Sequence, residues 1–307
     1  MARRSNGNGN GRRSHTPRLR VVQNGNGIHR PTARGTLIII GGHEEKDGEA
    51  LILRAVAERV GSGKLVVATL ASQEPEAMFR DYQKAFSRLG LKRVEHLDVS
   101  DREALLRDPP LKLLEGASVV FFTGGGQLRI TTQFGGTQLC EQIQQFYQNG
   151  GTIAGTSAGA SVMSDTMLVS GDGESSHRVG GNLLMAPGLG YLKDVIIDQH
   201  FAERGRIGRL LGAVAQNPRF LGIGLDENTA IIVHKEREFR VLGAGAAYVV
   251  DGRGVTCTNI TEEENDRTIS MFNVRLHLLS QGCGFDLLTR EPRSGNAEDI
   301  EKELMSS

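Results

Sequence analysis

A single serine lies at the centre of a glycine-rich corner in the stretch GTIAGTSAGASVM, residues 151–163. Ser157 has one glycine two residues before it and another two residues after it, which matches the pattern G-x-S-x-G. In that pattern a sharp turn between a strand and a helix presents the serine hydroxyl, and small neighbours permit close backbone contacts. Ser157 is therefore a candidate nucleophile, and a plain strand-to-helix turn is the alternative.

A second glycine-rich stretch, Gly124-Gly125-Gly126, follows the apolar run SVVFF. Successive glycines allow backbone N–H groups to form a concave anion site. The sequence contains neither G-x-G-x-x-G nor G-x-x-x-x-G-K-[ST], which argues against a phosphate loop. Beside a nucleophile, the N–H groups of Ala158 and of either Gly125 or Gly126 are expected to form an oxyanion hole.

A serine nucleophile needs a general base, and the base needs an acidic group that orients it. Among eight histidines, His200 follows an apolar strand in VIIDQHFAERGRIGRL, whereas His43 and the others have no recognisable acid–base context. His200 is the candidate base, with a packed histidine at a strand end as the alternative. Asp226 and Glu227 follow another apolar stretch, and the sequence leaves open which of them is the orienting acid.

Three arginines, Arg204, Arg206 and Arg209, come directly after His200. Guanidinium groups bind carboxylates in a bidentate manner, so this spacing favours an acidic substrate. A solvated helix face is the alternative interpretation. The carboxylates of Asp198 and Glu203 lie nearby in the sequence, where they could neutralise these arginines or bind a cationic group.

Strands and helices alternate in the part of the chain that must position these groups. Apolar, β-branched runs are separated by amphipathic stretches that predict helices over residues 48–61, 75–90 and 137–150. This pattern predicts a three-layer α/β fold with a mostly parallel sheet flanked by helices, and the short runs after residue 218 predict antiparallel strands. The loops at 41–44, 123–127 and 155–159 all follow predicted strands, and ligands of such sheets bind at the carboxyl ends of the strands.

The two ends of the chain differ from its middle. Residues 1–35 are rich in Arg, Asn and Gly and contain no acidic residue, which predicts a disordered basic tail. Residues 36–290 are predicted to form a single α/β catalytic domain, and residues 291–307 a polar C-terminal tail. The arginines of the first segment could touch an anionic polymer or nucleic acid, but we expect a solvated extension and no nucleic-acid partner.

Composition narrows the class of protein further. The 307 residues include 36 Lys and Arg and 36 Asp and Glu, so the net charge favours no particular partner. Three cysteines, far apart and outside any C-x-x-C pair, argue against a disulfide framework or a structural zinc site and favour a reducing compartment. No apolar window reaches the roughly 18 residues of a membrane span. A cytoplasmic protein without a membrane partner is expected.

Four stretches carry a family resemblance: FTGGGQ, GTSAGA, DQHFAERGRIGRL and GIGLDENTA. In this order and spacing they resemble motifs of the cyanophycinases, which are dipeptidase E-like serine peptidases with a fold related to class I glutamine amidotransferases. The resemblance extends over residues 36 to 285 or so. It implies a homodimeric serine exopeptidase that needs no metal or cofactor and releases β-Asp-Arg dipeptides from cyanophycin, as polymer or granule.

The resemblance also implies roles for individual residues. Ser157 would be the nucleophile, His200 the general base and Glu227 the orienting acid. The substrate pocket would contain Gln127, Asp198, Gln199, Arg204, Arg206 and Arg209.

Two other functions stay open from the sequence. One is an aspartyl or isoaspartyl dipeptidase of the same family, and the other is a non-catalytic protein that binds an anionic polymer through its glycine loops. The chain order Ser, His, Glu argues against an α/β-hydrolase esterase or lipase, in which the acid precedes the histidine.

Overall fold

The computed structural model describes residues 35–99, 101–170, 183–261 and 267–295. The predicted basic tail, except its last residue, and residues 296–307 of the predicted polar tail lie outside these ranges. In chain order the strands are β1 Thr36–Ile40, β2 Lys64–Ala68, β3 Val94–Leu97, β4 Ala117–Phe122, β5 Thr152–Thr156, β6 Thr166–Leu168, β7 Met185–Pro187, β8 Val195–Gln199, β9 Leu221–Leu225, β10 Thr229–His234, β11 Glu238–Gly243, β12 Ala247–Asp251, β13 Cys257–Thr258, β14 Met271–Phe272, β15 Arg275–Leu279, β16 Gly284–Asp286 and β17 Glu291–Arg293.

Helices form in the three ranges that the sequence predicts, with each end zero to three residues inside the predicted bounds, and further helices form outside those ranges. They are α1 Leu51–Val60, α2 Pro75–Arg88, α3 Arg102–Arg107, α4 Gln127–Phe134, α5 Gln138–Gln148, α6 Ala158–Ser161 and α7 Ile207–Gln216, with a short 3₁₀ helix at Leu111–Leu114. Pro75 is the first residue of α2, where its missing N–H removes no helical hydrogen bond. None of the helices in the described ranges combines the length and the apolar character needed to cross a bilayer.

A nine-stranded mixed sheet runs through the described residues in the order β17-β16-β11-β10-β1-β5-β4-β2-β3. The strands from β1 to β3 in this order pair in parallel. The strands on the other side of β1 pair antiparallel. The parallel strands are buried on both faces, which explains their continuous apolar runs. The predicted α/β fold, parallel at its centre and antiparallel in the C-terminal part, is confirmed.

The two faces of this main sheet are covered differently. Alternate side chains of β1 point to opposite faces. Ile38 and Ile40 pack with α1 and α2 in one apolar cluster. Leu37 and Ile39 belong to another cluster, which contains residues of α4, α5 and a second sheet. The fold therefore has helices on one side of the main sheet and a mixed layer on the other.

The second sheet has four strands in the order β15-β12-β9-β8. Strands β8 and β9 are parallel, and the other pairs are antiparallel. Its inner residues Ile197, Ile223 and Val249 belong to the cluster shared with the main sheet, and its outer face packs on α7. The sequence did not predict this sheet, because local patterns do not specify which distant strand each strand pairs with.

The last strand of the main sheet, β17, lies inside the stretch that the sequence analysis assigned to a polar tail. Its residues are exposed, and their backbone pairs with β16. A strand with no buried side chain has no alternating apolar pattern, so the sequence pattern does not predict that β17 pairs with β16.

Candidate active site

Ser157 occupies a strained turn between β5 and α6. Its backbone has φ 53° and ψ −111°, a region that side-chain-bearing residues rarely adopt. A Cβ atom at Gly155 would lie 2.5 Å from the carbonyl oxygen of Gly159, and one at Gly159 would lie 2.2 Å from that of Phe122. Both flanking glycines are thus required by close backbone contact, as the G-x-S-x-G pattern predicts.

His200 begins the loop after β8 and faces Ser157. The Oγ of Ser157 lies 2.9 Å from the Nε2 of His200. His200 also has a positive φ, 48°, and its backbone N–H donates to the carbonyl of Gly41 at 2.9 Å. The loop after β1 therefore fixes the backbone of the histidine that approaches the serine.

The carboxylate of Glu227 completes a hydrogen-bonded chain with these two residues. Its Oε1 lies 2.6 Å from the Nδ1 of His200. An ionised carboxylate only accepts, so Nδ1–H donates to it and Nε2 of the neutral ring is left to accept from Ser157. The neighbouring Asp226 instead accepts from the backbone N–H groups of Ala202 and Ala246, both at 3.0 Å. The structure thus places Glu227, and not Asp226, on the histidine.

Ser157 and His200 line a cavity of about 910 Å³, and Glu227 lies behind His200, outside the cavity lining. This volume is in the range of small-molecule and peptide sites. From the three predicted loops the wall also contains His43, Glu44, Gly124, Gly125, Gly126, Gln127 and Thr156. The other lining residues are Lys46, Met78, Tyr82, Leu128, Val169, Gln199, Arg204 and Arg206. The three glycine-containing loops at the carboxyl ends of strands therefore meet at one cavity.

Comparison with known sequences assigns this arrangement to a family. The model of peptidase family S51 matches residues 37–241, which include Ser157, His200 and Glu227. The chain belongs to peptidase family S51. Its similarity to known S51 relatives extends beyond the matched range.

A cyanophycinase of Trichormus variabilis is 39% identical over 258 residues, which cover 83% of this chain and 86% of the relative. A cyanophycinase of Geminocystis herdmanii is 36% identical over 269 residues, covering 86% of this chain and 98% of the relative. The crystal structure of a peptidase from an acI-B1 Actinobacterium superposes with a TM-score of 0.57 at 21% identity, covering 79% of this chain and 99% of that one. The fold of this S51 peptidase is thus the fold of that structure.

The environment of His200 favours its neutral form. Burial lowers the pKa of His200 from its usual value, and the charges of Arg204 and His43 lower it further. The hydrogen bond and the charge of Glu227 act in the opposite direction without reversing the shift. An imidazole with a lowered pKa is neutral at pH 7 and can accept a proton.

The glycine loop beside Ser157 in this S51 peptidase has one amide already committed. The N–H of Gly126 donates to the carbonyl of Ala71 at 2.9 Å. Gly125 has φ 137°, and a Cβ atom there would lie 2.2 Å from the same carbonyl oxygen. The Ala71 carbonyl thus engages the amide of Gly126. Of the two glycines considered for the oxyanion hole, Gly125 is therefore the better candidate.

The six residues of the expected substrate pocket separate into two groups. Gln127, Gln199, Arg204 and Arg206 line the cavity. The side-chain amide of Gln127 donates to the carbonyl of Leu168, and Oε1 of Gln199 lies 3.5 Å from the Ser157 hydroxyl. Asp198 and Arg209 are outside the cavity lining and are almost fully buried.

Asp198, Arg206 and Arg209 form a buried ion-pair cluster behind Gln199. The Nε of Arg209 lies 2.6 Å from Oδ2 of Asp198, and Nη1 of Arg206 lies 3.4 Å from Oδ1. Arg206 also donates to the carbonyl of Gln199 at 2.6 Å. The solvated helix face considered in the sequence analysis therefore applies to neither Arg206 nor Arg209, while Arg204 is exposed.

Glu44 is a site residue that the sequence analysis noted only as part of a loop. Its carboxylate is buried and accepts from the hydroxyl of Tyr82 at 2.5 Å and from that of Thr156 at 2.6 Å. Burial and the neighbouring carboxylate raise the pKa of Tyr82 well above its usual value. Lys46 lies over the Tyr82 ring, 4.6 Å from its centroid. These contacts join residues far apart in the chain, so a local sequence pattern does not predict them.

His43 is the other residue that sequence reasoning missed. Its Nδ1 lies 3.4 Å from Oε2 of Glu227, and its ring meets the His200 ring edge-on at a centroid distance of 5.1 Å. His43, His200 and Glu227 each bring one possible metal-ligand atom to within 4.8 Å of the others. Within the described ranges this is the one group of three His, Cys, Asp or Glu side chains with that spacing.

Proposed function

We propose that this S51 peptidase hydrolyses cyanophycin to β-Asp-Arg dipeptides through an acyl-enzyme on Ser157. The observation that carries the proposal is the hydrogen-bonded chain Ser157–His200–Glu227 on a cavity, in a protein 36–39% identical to cyanophycinases over most of its length. The geometry is that of a nucleophile, a general base and an orienting acid.

The proposed first step is attack of the Ser157 oxygen on the scissile carbonyl. His200 Nε2 accepts the serine proton as the C–O bond forms, and Glu227 stabilises the resulting imidazolium. The N–H groups of Ala158 and Gly125 donate to the oxyanion, an interaction worth about 2.7–4 kcal/mol per donor in enzymes of this kind.

The acyl-enzyme forms when the tetrahedral species collapses. The C–N bond breaks, and the imidazolium gives its proton to the leaving amine. Water then attacks the ester while His200 accepts its proton, and the same oxyanion donors act again. The second collapse returns the proton to Ser157 and releases the dipeptide carboxylate.

The charges at the cavity support a substrate that carries both carboxylates and guanidinium groups. Arg204 and Lys46 contribute positive charge, and Arg206 lines the cavity while paired with Asp198. Glu44 contributes a carboxylate that also accepts from Tyr82 and Thr156. The amide side chains of Gln127 and Gln199 line the same cavity and can donate to or accept from a peptide, and Oε1 of Gln199 lies 3.5 Å from the Ser157 hydroxyl. A polymer of aspartate with arginine on its side chains presents complementary groups.

The proposal places the enzyme in the cytoplasm as a homodimer. The location rests on the three cysteines, Cys140, Cys257 and Cys283, which lie far apart and outside any C-x-x-C pair, a usage typical of a reducing compartment. The dimer rests on the family resemblance, and sedimentation of the purified chain measures it.

Incubation with cyanophycin and analysis of the soluble products by mass spectrometry tests the function. The unmodified protein should release β-Asp-Arg. Ser157→Ala should be slower by about 10⁶-fold, the loss seen when a serine nucleophile is removed. Ser161→Ala, a serine one turn further along α6, is the matched control and should retain activity.

The same assay separates the alternatives. Cleavage of small aspartyl or isoaspartyl dipeptides without attack on the polymer would identify a dipeptidase. Binding of the polymer without any product would identify a non-catalytic binding protein. Equal release by the unmodified protein and Ser157→Ala would contradict the role of Ser157.

A further inference from the structure

We propose that a Zn²⁺ ion binds between His43, His200 and Glu227 and reversibly inhibits the enzyme. Zinc binding at this site does not depend on which substrate the enzyme cleaves, because the three ligands are side chains of the protein. His43 is the member that neither attacks the substrate nor transfers a proton in the proposed reaction. Its position beside both other residues is what brings three ligand atoms to within 4.8 Å of each other.

The chemistry of the three groups suits zinc. Imidazole nitrogens and carboxylate oxygens bind Zn²⁺ at about 2.0–2.2 Å, and tetrahedral geometry then separates two ligand atoms by about 3.3 Å. The Nδ1 of His43 and Oε2 of Glu227 are already 3.4 Å apart. The 2.6 Å between Nδ1 of His200 and Oε1 of Glu227 must open by about 0.7 Å to reach that tetrahedral separation.

Two of the three side chains are accessible to solvent. The side chain of His43 is 71% exposed and that of Glu227 is 27% exposed, whereas that of His200 is 3% exposed. An ion can therefore meet His43 and Glu227 first and reach His200 by replacing its hydrogen bond to Glu227. Three protein ligands leave the fourth position of the ion to water.

Zinc at this position blocks catalysis without contacting Ser157. The ion takes the lone pair of His200 Nδ1, so the proton of the neutral imidazole moves to Nε2. Nε2–H then donates to the Ser157 hydroxyl at the 2.9 Å contact and can no longer accept its proton. The net proton count of the imidazole is unchanged, and removal of the ion restores the original tautomer.

Titration of the full-length protein with zinc chloride, followed by calorimetry, measures the site directly. The variant His43→Gln removes one ligand, and His234→Gln is the control because it changes a histidine at the opposite end of the strand pair β1–β10. Loss of a ligand should weaken binding by at least about tenfold, since even the groups that support ligands cost that much when changed. Zinc bound by the free cysteines is common to all three proteins and cancels in the comparison.

Labelling of Ser157 by a fluorophosphonate gives the second readout and needs no cyanophycin, so failure of the proposed substrate does not affect it. Zinc should slow labelling of the unmodified protein and of His234→Gln, with recovery on addition of EDTA. The labelling rate of His43→Gln, compared with its own rate in the absence of zinc, should not change when zinc is added. Equal zinc affinity of the unmodified protein and His43→Gln, or zinc binding that leaves labelling unchanged, overturns the proposal.

Discussion

Gly42 lies against the imidazole of His200, so close that a Cβ atom at this position would be 2.3 Å from Cε1 and 2.6 Å from Nε2 of the ring. The glycine has φ 110°, a conformation that other residues rarely adopt. The imidazole can therefore occupy this position only because residue 42, in the loop after β1, has no side chain. Any residue larger than glycine at position 42 would displace Nε2 of His200, the nitrogen that faces the Ser157 hydroxyl.

The variant Gly42→Ala should lose activity because the added methyl group pushes His200 away from Ser157. A displacement of about 1 Å in such a group costs on the order of 10²-fold in rate. Gly150→Ala is the matched control, since Gly150 has φ 100° and a Cβ atom added there would meet nothing within 4 Å among the described residues beyond its chain neighbours. Both variants should lose some thermal stability from the positive φ, and only Gly42→Ala should lose kcat/KM. Similar kcat/KM values for the two variants would contradict the steric argument.

The acid limb of the pH profile should lie below the usual pKa of histidine, about 6.5, because burial lowers the pKa of His200. Arg204→Gln removes a cation that disfavours the imidazolium, so the pKa should rise and the limb should move to higher pH. Profiles of kcat/KM measure this shift. Arg219→Gln, at an exposed ion pair with Asp194, is the control and should leave the limb in place.

Glu227→Gln should move the same limb the other way. The hydrogen bond and charge of Glu227 raise the pKa of His200, so their loss should lower it and move the limb to lower pH. The rate should also fall by about 10⁴-fold, because the ring loses the partner that fixes its tautomer. A limb that moves to higher pH in Glu227→Gln would show that the carboxylate does not stabilise the imidazolium.

Asp198→Asn should destabilise the fold strongly, because Arg206 and Arg209 would remain buried without their carboxylate. Breaking a buried ion pair in this way costs about 3–5 kcal/mol. Asp194→Asn is the control, since the Asp194–Arg219 pair is exposed and such pairs contribute about 0–1 kcal/mol. Chemical denaturation measures both. Equal midpoints and slopes would mean that the buried cluster contributes no more than the exposed pair.

Deletion of residues 2–33 should leave turnover of short, soluble (β-Asp-Arg) oligomers unchanged, because the sequence predicts a solvated extension there. The described fold already begins at Gly35, whose N–H donates to the carbonyl of Tyr147. Turnover of granules provides the contrast, since a basic segment can contact the carboxylates at their surface. Loss of activity on the soluble oligomers would show that the N-terminal segment takes part in the reaction.

Local signals predicted the elements that carry the site. The β-branched runs predicted the parallel strands, and the glycines around Ser157 predicted its turn, since both depend on neighbouring residues. The choice of Glu227 over Asp226 depends on how β9 pairs with β8, which a local pattern does not contain. For the same reason the sequence did not predict the contacts of His43 and Glu44.

The arginines after His200 illustrate a different limit. Their spacing correctly drew attention to a charged cluster, but spacing does not reveal burial. Arg206 and Arg209 form ion pairs with Asp198, which lies near the end of β8, two residues before His200. Part of the positive charge of these arginines is therefore neutralised inside the protein. Only the three-dimensional arrangement separates the exposed Arg204 from the other two.

The three residues of the proposed catalytic chain follow strands of two different sheets. Ser157 follows β5 of the main sheet, whereas His200 and Glu227 follow β8 and β9 of the second sheet. The distance from Ser157 to His200 therefore depends on the packing of the two sheets and on the hydrogen bond from the N–H of His200 to the carbonyl of Gly41. Warming that loosens this packing separates nucleophile from base while each sheet keeps its own hydrogen bonds. Heat inactivation should accordingly occur at a lower temperature than the loss of the β-sheet circular dichroism signal. Activity would then report the packing between the two sheets.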